Sequence, residues 1–148
     1  MRVKVAVAQA EVAPDLASAL ERTDRLAAEA RQAGASLVVF PETWIPGYPV
    51  WLDVCRDAAL WDHPPVKEAW ARMARESLAI PSPEADALAE IARAHEVTMV
   101  LGATERVDTG PGRGTLNNVV LTYGPDETLR NHHRKIVPTY NEKMVWGE

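Results

Sequence analysis

The sequence predicts an α/β fold built as one continuous unit, and three observations carry that expectation. A strand pattern, an amphipathic helix and a second strand pattern follow one another by residue 40, the mark of a crossover unit joining parallel strands. Two more helical segments then lead into a third strand beginning at Val97. The stretch from Leu116 to Val137 alternates as a hairpin around a turn. No repeat, low-complexity tail or linker divides the chain, and 148 residues suffice for one domain or for part of a larger one.

Each element has a local reason. Val3, Val5 and Val7 alternate with Lys4, Ala6 and Ala8, so residues 3–9 read as a strand. A helix over 15–33 follows, with Asp15 fit to cap its first turn and Gly34 just past its end. Leu16, Ala19, Leu20, Leu26, Ala27, Ala30 and Ala33 recur near a 3.6 period and give that helix one apolar face. The short apolar run Leu37-Val38-Val39-Phe40 predicts a strand covered on both faces. From Pro41 to Pro65 the chain is irregular and rich in proline and tryptophan. Helices near 66–78 and 83–95 flank Ile80-Pro81-Ser82-Pro83, which cannot propagate a helix. Residues 97–102 form the third strand, and 103–107 extend it toward a turn-forming loop at 109–114. The hairpin pairs 116–123 with 128–137 around Gly124-Pro125-Asp126-Glu127.

Composition narrows the function classes. Sixteen basic and twenty-one acidic residues leave a net charge of -5, which argues against a nucleic-acid or anionic-membrane partner. The one basic cluster, His132-His133-Arg134-Lys135, is short and lies within a strand pattern. No apolar run approaches the ~18 residues of a membrane span, and no signal core follows Met1. The single cysteine, Cys55, leaves no internal disulfide framework and suits a reducing compartment, so the expected location is cytoplasmic. Gly110-Pro111-Gly112-Arg113-Gly114 lacks the Lys-Ser/Thr that completes a phosphate loop. His132 and His133 point to opposite faces of a strand, and His63 and His95 are distant in sequence. No metal and no cofactor is therefore expected.

Two residues invite a catalytic reading. Glu42 follows the buried 37–40 strand by two positions, where a rigid strand end meets an open loop, a setting suited to a general base. A solvated loop glutamate is the alternative, and position alone favours it. Along 128–137, Leu129, Asn131, His133, Lys135 and Val137 share one face, on which Lys135 is the only formal cation. A lysine held among apolar neighbours acts strongly on a developing anion; otherwise it reaches past the strand edge to water. Trp44 and Tyr48, just after Glu42, are candidates for substrate contact, with core packing equally open.

Three segments go further. Pro41-Glu42-Thr43-Trp44, Ile45-Pro46-Gly47-Tyr48-Pro49 and the run from Arg134 to Glu148 resemble segments of the nitrilase, or carbon–nitrogen hydrolase, family, and most closely its nitrilase branch. The resemblance runs in order from the Val-Ala-Val-Ala-Gln opening strand to the Trp-Gly-Glu end. It matches the amino-terminal part of a family enzyme, which would be roughly twice this length. It implies a nitrilase-like α-β-β-α sandwich, with residues 1–148 as its amino-terminal part. By the same resemblance Glu42 is the general base, Lys135 the charge-stabilising cation, and Glu142 a second glutamate that orients Lys135 or the substrate.

The family's third catalytic group is a cysteine downstream of the lysine. Cys55 stands before Lys135, its flanks do not match the family's cysteine segment, and it reads as a small packed residue. The nucleophile is thus expected outside this chain. Residues 1–148 alone are expected to be inactive and to self-associate, and the parent to be a homo-oligomer. The implied reaction converts a small nitrile to a carboxylic acid and ammonia through a thioimidate. An amidase or carbamoyl hydrolase on the same scaffold is the second reading. A catalytically inactive nitrilase-like binding or partner subunit is the third.

Overall fold

A computed structural model of the chain describes residues 2–147; Met1 and Glu148, the ends of the expected 1–148 unit, lie outside the described residues. In chain order the elements are β1 (Val5–Val7), α1 (Leu16–Gln32), β2 (Leu37–Val39), α2 (Trp51–Val54), α3 (Pro64–Glu76), β3 (Leu78–Ala79), α4 (Pro83–Ala94), β4 (Thr98–Arg106), β5 (Leu116–Tyr123) and β6 (Leu129–Arg134). A short 3-10 turn, Tyr140–Met144, follows. The α/β class is as expected, and the caps act as the sequence implies. Asp15 accepts from the Ser18 N–H at 2.8 Å to start α1, and Gly34 takes φ 83° beyond its end. Ser82 accepts from the Ala85 N–H at 3.1 Å and starts α4 directly after the proline break.

One sheet runs β1-β2-β4-β5-β6, and β3 pairs with the far end of β4. β1, β2 and β4 are parallel, whereas β5 and β6 are antiparallel additions. The first strand is shorter than expected, three residues rather than 3–9. β3 and α2 lie in stretches that carry no strand or helix periodicity, and tertiary pairing decides them.

The register sorts the side chains onto two faces. Ala6, Val38, Met99, Leu101, Ala103, Val119, Leu121 and Tyr123 share one face, packed with α1 and α4 residues such as Ala19, Ala27, Leu88 and Ala92. The opposite face carries Val5, Val7, Leu37, Val39, Val100 and Val120. Val5 is 50%, Val7 76% and Val120 40% exposed there, although α2 and α3 pack against Leu116 farther along the same face. The expectation that residues 37–40 are covered on both faces is thus corrected. Val38 is buried, but Leu37 and Val39 are only half-buried, because α1 and α4 both pack on the Val38 side.

Toward the carboxyl end of β4 the open face is roofed by the chain itself. The Pro41–Thr43 backbone lies over Gly102, and Trp146 donates from Nε1 to the Thr104 hydroxyl at 3.2 Å. A second small core of Leu52, Met73, Leu116, Val145 and Trp146 ties α2, α3 and the 3-10 turn to β5. The outer strand β6 is exposed throughout, yet Arg134 anchors it through a two-pronged pair to buried Glu105, at 2.7 and 2.8 Å. His132 joins the same carboxylate at 3.2 Å, while His133, one residue on, faces the other side as adjacent strand residues must.

Candidate active site

Glu42 emerges where β2 leaves the sheet. The Phe40 N–H still donates to the Val100 carbonyl at 2.8 Å, so the strand keeps its course to the residue before Pro41. The Glu42 side chain then turns toward β5 and β6. Asn118 of β5 donates from Nδ2 to Glu42 Oε1 at 2.7 Å, and Lys135 Nζ approaches the same oxygen at 3.2 Å. Lys135 follows β6 directly, and its backbone N–H donates to the Asn118 carbonyl at 2.8 Å. Asn118 therefore fixes both partners, one by its side chain and one by its backbone.

The cation has a second partner. Lys135 Nζ donates to Glu142 Oε2 at 2.9 Å, and the same oxygen accepts the Thr139 N–H at 2.6 Å. That second bond is half of a capping box, in which the Thr139 side chain in turn accepts from the Glu142 N–H. Buried Val145 and Trp146, just downstream, hold the turn against β5. Burial is graded along the chain of contacts, with side-chain exposure of 54% for Glu42, 31% for Lys135 and 8% for Glu142.

This grading shapes the charges. Burial works to raise the Glu142 pKa, but hydrogen bonds from Lys135 and the Thr139 N–H outweigh it and hold the carboxyl below its usual range. The Glu142 hydrogen bond, aided by Glu42, raises Lys135 above the ordinary lysine value against the opposing effect of burial. The Tyr48 hydroxyl nearby is pushed up by burial first and then by the charges of Asp53, Glu142 and Glu42. The Tyr48 ring lies 5.9 Å from that of Trp146. The result is a permanent cation between one buried, ionised carboxylate and one carboxylate open to approach. Such a site can take a proton at Glu42 and stabilise negative charge at Lys135.

Glu42, Lys135 and Glu142 thus meet although Glu42 and Lys135 are 93 residues apart in sequence, and Tyr48 stands beside them. Trp44 does not. Its ring is 1% exposed, packs 5.5 Å from Phe40, and donates from Nε1 to Thr23 of α1 at 2.8 Å, so it is packed in the core. Cys55 is corrected as well: it caps the end of α2 as an exposed free thiol rather than a packed one. Asn118 is the residue the sequence reading missed. The signal available was a polar pair, Asn117-Asn118, inside an otherwise apolar strand.

Two expectations follow for the full-length protein. Asn118→Leu keeps volume but removes the donor to Glu42, and a hydrogen bond to a charged group is worth about 1.5–3 kcal/mol. Turnover should fall about 10–100-fold; steady-state kinetics at wild-type rate would remove Asn118 from the site. The second concerns pH. Glu142 and Glu105 have depressed folded values, Glu105 because Arg134 and His132 outweigh the raising effect of burial. Their stabilisation is present above the unfolded carboxylate value near 4.5 and is lost as pH falls through the folded values. Lys135 is raised, so its share is present below 10.5 and is lost as pH rises through the folded value. Thermal midpoints should hold between these limits and fall beyond them. Glu142→Gln should flatten the acid limb, and an unchanged acid slope in that variant would contradict the assignment.

The carbon–nitrogen hydrolase family model matches residues 4–148. An arylacetonitrilase of Hypocrea virens is 37% identical over 147 residues, covering 99% of this chain and 41% of its own length. A cyanide hydratase of Gibberella zeae is 37% identical over 134 residues, covering 90% of this chain and 35% of its own length. Among solved structures, a mutant of the amidase from Nesterenkonia sp. AN1, showing Michael addition of acrylamide at the active-site cysteine, superposes with a TM-score of 0.63. Its identity is 20%, with 99% of this chain and 50% of that one covered, so it bears on the fold alone. The chain thus spans 41% or less of the length of these two curated relatives. The α and β layers described here correspond to the amino-terminal part of the α-β-β-α sandwich.

Proposed function

We propose, from the premise that this chain belongs to the carbon–nitrogen hydrolase family, that it is the amino-terminal part of a nitrilase-type enzyme producing a carboxylic acid and ammonia from a nitrile. The observation that carries this reading is the contact chain Asn118–Glu42–Lys135–Glu142 on the open sheet face. It joins an accessible base to a fixed cation, which is what addition to a carbon–nitrogen multiple bond requires.

The chemistry runs in balanced steps. Glu42 takes the proton of a cysteine thiol supplied from beyond residue 148, and the thiolate attacks the nitrile carbon. The nitrile nitrogen gains an electron pair as its π bond breaks, stabilised by Lys135, and takes the proton held by Glu42 to give a thioimidate. Glu42 deprotonates a water that adds to the thioimidate carbon and passes that proton, and then the one on the added hydroxyl, to the nitrogen, which leaves as ammonia to give a thioester. A second water, activated in the same way, releases the carboxylic acid and restores the thiol. Glu142 stays ionised throughout and keeps Lys135 charged and aimed. Tyr48 stands at the edge of the space in which the substrate would lie.

A second reading, an amidase on the same scaffold, would set the same open base and fixed cation against an amide carbonyl. Ammonia release by the full-length protein separates the two. Release from an aromatic or aliphatic nitrile, with the matching amide inert, supports the nitrilase reading. Turnover of the amide alone supports the amidase. A product stopped at the amide would remove the thioester step and align the enzyme with the cyanide hydratase.

The open sheet face gives an expectation of assembly. Val5, Val7 and Val120 expose apolar surface of the kind that self-associates. Residues 1–148 expressed alone should form oligomers or aggregates by light scattering, and co-expression of the carboxyl-terminal remainder should restore solubility. A monodisperse monomer would contradict this.

A further inference from the structure

The turn that carries Glu42 lies against β4 more closely than any side chain permits. A Cβ built at Gly102 would stand 2.5 Å from the Pro41 carbonyl oxygen, 2.6 Å from Glu42 Cα and 2.7 Å from the Thr43 nitrogen. All three are backbone atoms, so no rotamer change relieves the clash. The turn is also pinned on both sides of this contact. Before it, the Phe40 N–H donates to the Val100 carbonyl at 2.8 Å; after it, the Thr104 N–H donates to the Ile45 carbonyl at 2.7 Å. The turn therefore cannot lift away without breaking its pairing to β4 at one end or the other.

Thr43 supplies the second half of the device. It is 1% exposed and adopts φ 51°, the left-handed region that a β-branched residue rarely enters. Its hydroxyl donates to the Glu42 carbonyl at 2.7 Å, which fixes the peptide next to the glutamate. Gly102 lies opposite Val120 on β5, two residues from Asn118 on the same face. The depth to which the turn settles on Gly102 thus sets the height at which Glu42 meets Asn118 and Lys135.

We propose that Gly102 and Thr43 are positioning residues for Glu42. The bare Gly102 lets the turn seat on the sheet, and the Thr43 hydroxyl locks the rotated peptide that aims the carboxylate at Asn118 and Lys135. This rests on the reading of Glu42 as the reacting base, and the test keeps the two separable. In the full-length protein, Gly102→Ala should lower kcat about 100-fold, the scale expected for a misplacement near 1 Å, with KM within about threefold because substrate surfaces are untouched. Its crystal structure should show Glu42 Oε1 beyond hydrogen-bond distance of Lys135 Nζ. Wild-type kcat with the carboxylate unmoved would overturn the proposal.

If Gly102→Ala does not fold, Thr43 decides. Thr43→Ser keeps the hydroxyl and loses a methyl group; Thr43→Val keeps the volume and loses the hydroxyl. Positioning predicts kcat near wild type for the serine variant and at least a roughly tenfold loss for valine, KM unchanged in both. A merely structural role predicts the reverse order, since buried volume would then decide, and that order would overturn the proposal. Should the wild-type protein turn over neither nitriles nor amides, the catalytic reading fails by itself. The displaced carboxylate in the Gly102→Ala structure, or its absence, then decides the positioning claim.

Discussion

Glu42→Gln in the full-length protein should fold normally and lose about 10²–10⁴-fold in turnover, the usual range for removing a general base. The substitution is nearly isosteric, and the side chain is 54% exposed, so packing has little to lose. The contacts survive as well. Asn118 Nδ2 and Lys135 Nζ both donate to Oε1, and a glutamine carbonyl oxygen can accept both. Only the capacity to take a proton is removed. Steady-state kinetics should show the loss in kcat, with an unchanged thermal midpoint. Turnover near wild type would take Glu42 out of the mechanism.

Lys135→Met should have a comparable kinetic effect with a different stability signature. Removing a preorganised donor from a developing anion costs about 10²–10³-fold in rate. It also leaves Glu142, 8% exposed, without its cation. Breaking a fully buried pair costs about 3–5 kcal/mol; here Lys135 is 31% exposed, so the loss should be smaller. Both turnover and thermal midpoint should therefore fall, which distinguishes this variant from Glu42→Gln. The double variant Lys135→Met/Glu142→Leu should recover stability but not activity. Recovery of activity would contradict the role given to the cation.

Local features of this fold were legible because local physics decides them. Asp15, Gly34 and Ser82 mark helix ends through hydrogen bonds and backbone angles that involve neighbouring residues only. The hairpin announced itself through alternation and a turn. The open sheet face was not legible, since the run Leu37–Phe40 is apolar on both sides while the face each residue occupies depends on pairing with β4. Trp44 illustrates the same limit. Its fate turns on Thr23, 21 residues earlier, whose hydroxyl satisfies the indole N–H inside the core.

The site divides along the same line. No periodicity links Glu42 to Lys135 across 93 residues; the resemblance of the flanking segments to a family did. Asn118 belongs to neither of those segments and became visible only when β5 brought it between them. Gly102 shows the opposite side of the matter. Its value lies in what it lacks, and only the backbone that crosses it reveals the reason. Cys55 was misread because a lone cysteine in an irregular stretch carries no pattern that separates an exposed cap from a packed residue.

In the proposed mechanism Glu42 and Lys135 serve a cysteine lying beyond residue 148. Intact-mass analysis and peptide mapping of the full-length protein, treated with a slowly hydrolysed nitrile or an aldehyde trap, test it most directly. One covalent adduct is expected on a cysteine carboxyl-terminal to residue 148, formed in wild type and in Cys55→Ser and strongly slowed in Glu42→Gln. An adduct on Cys55 that disappears in Cys55→Ser, with ammonia release lost alongside it, would place the nucleophile at Cys55 instead.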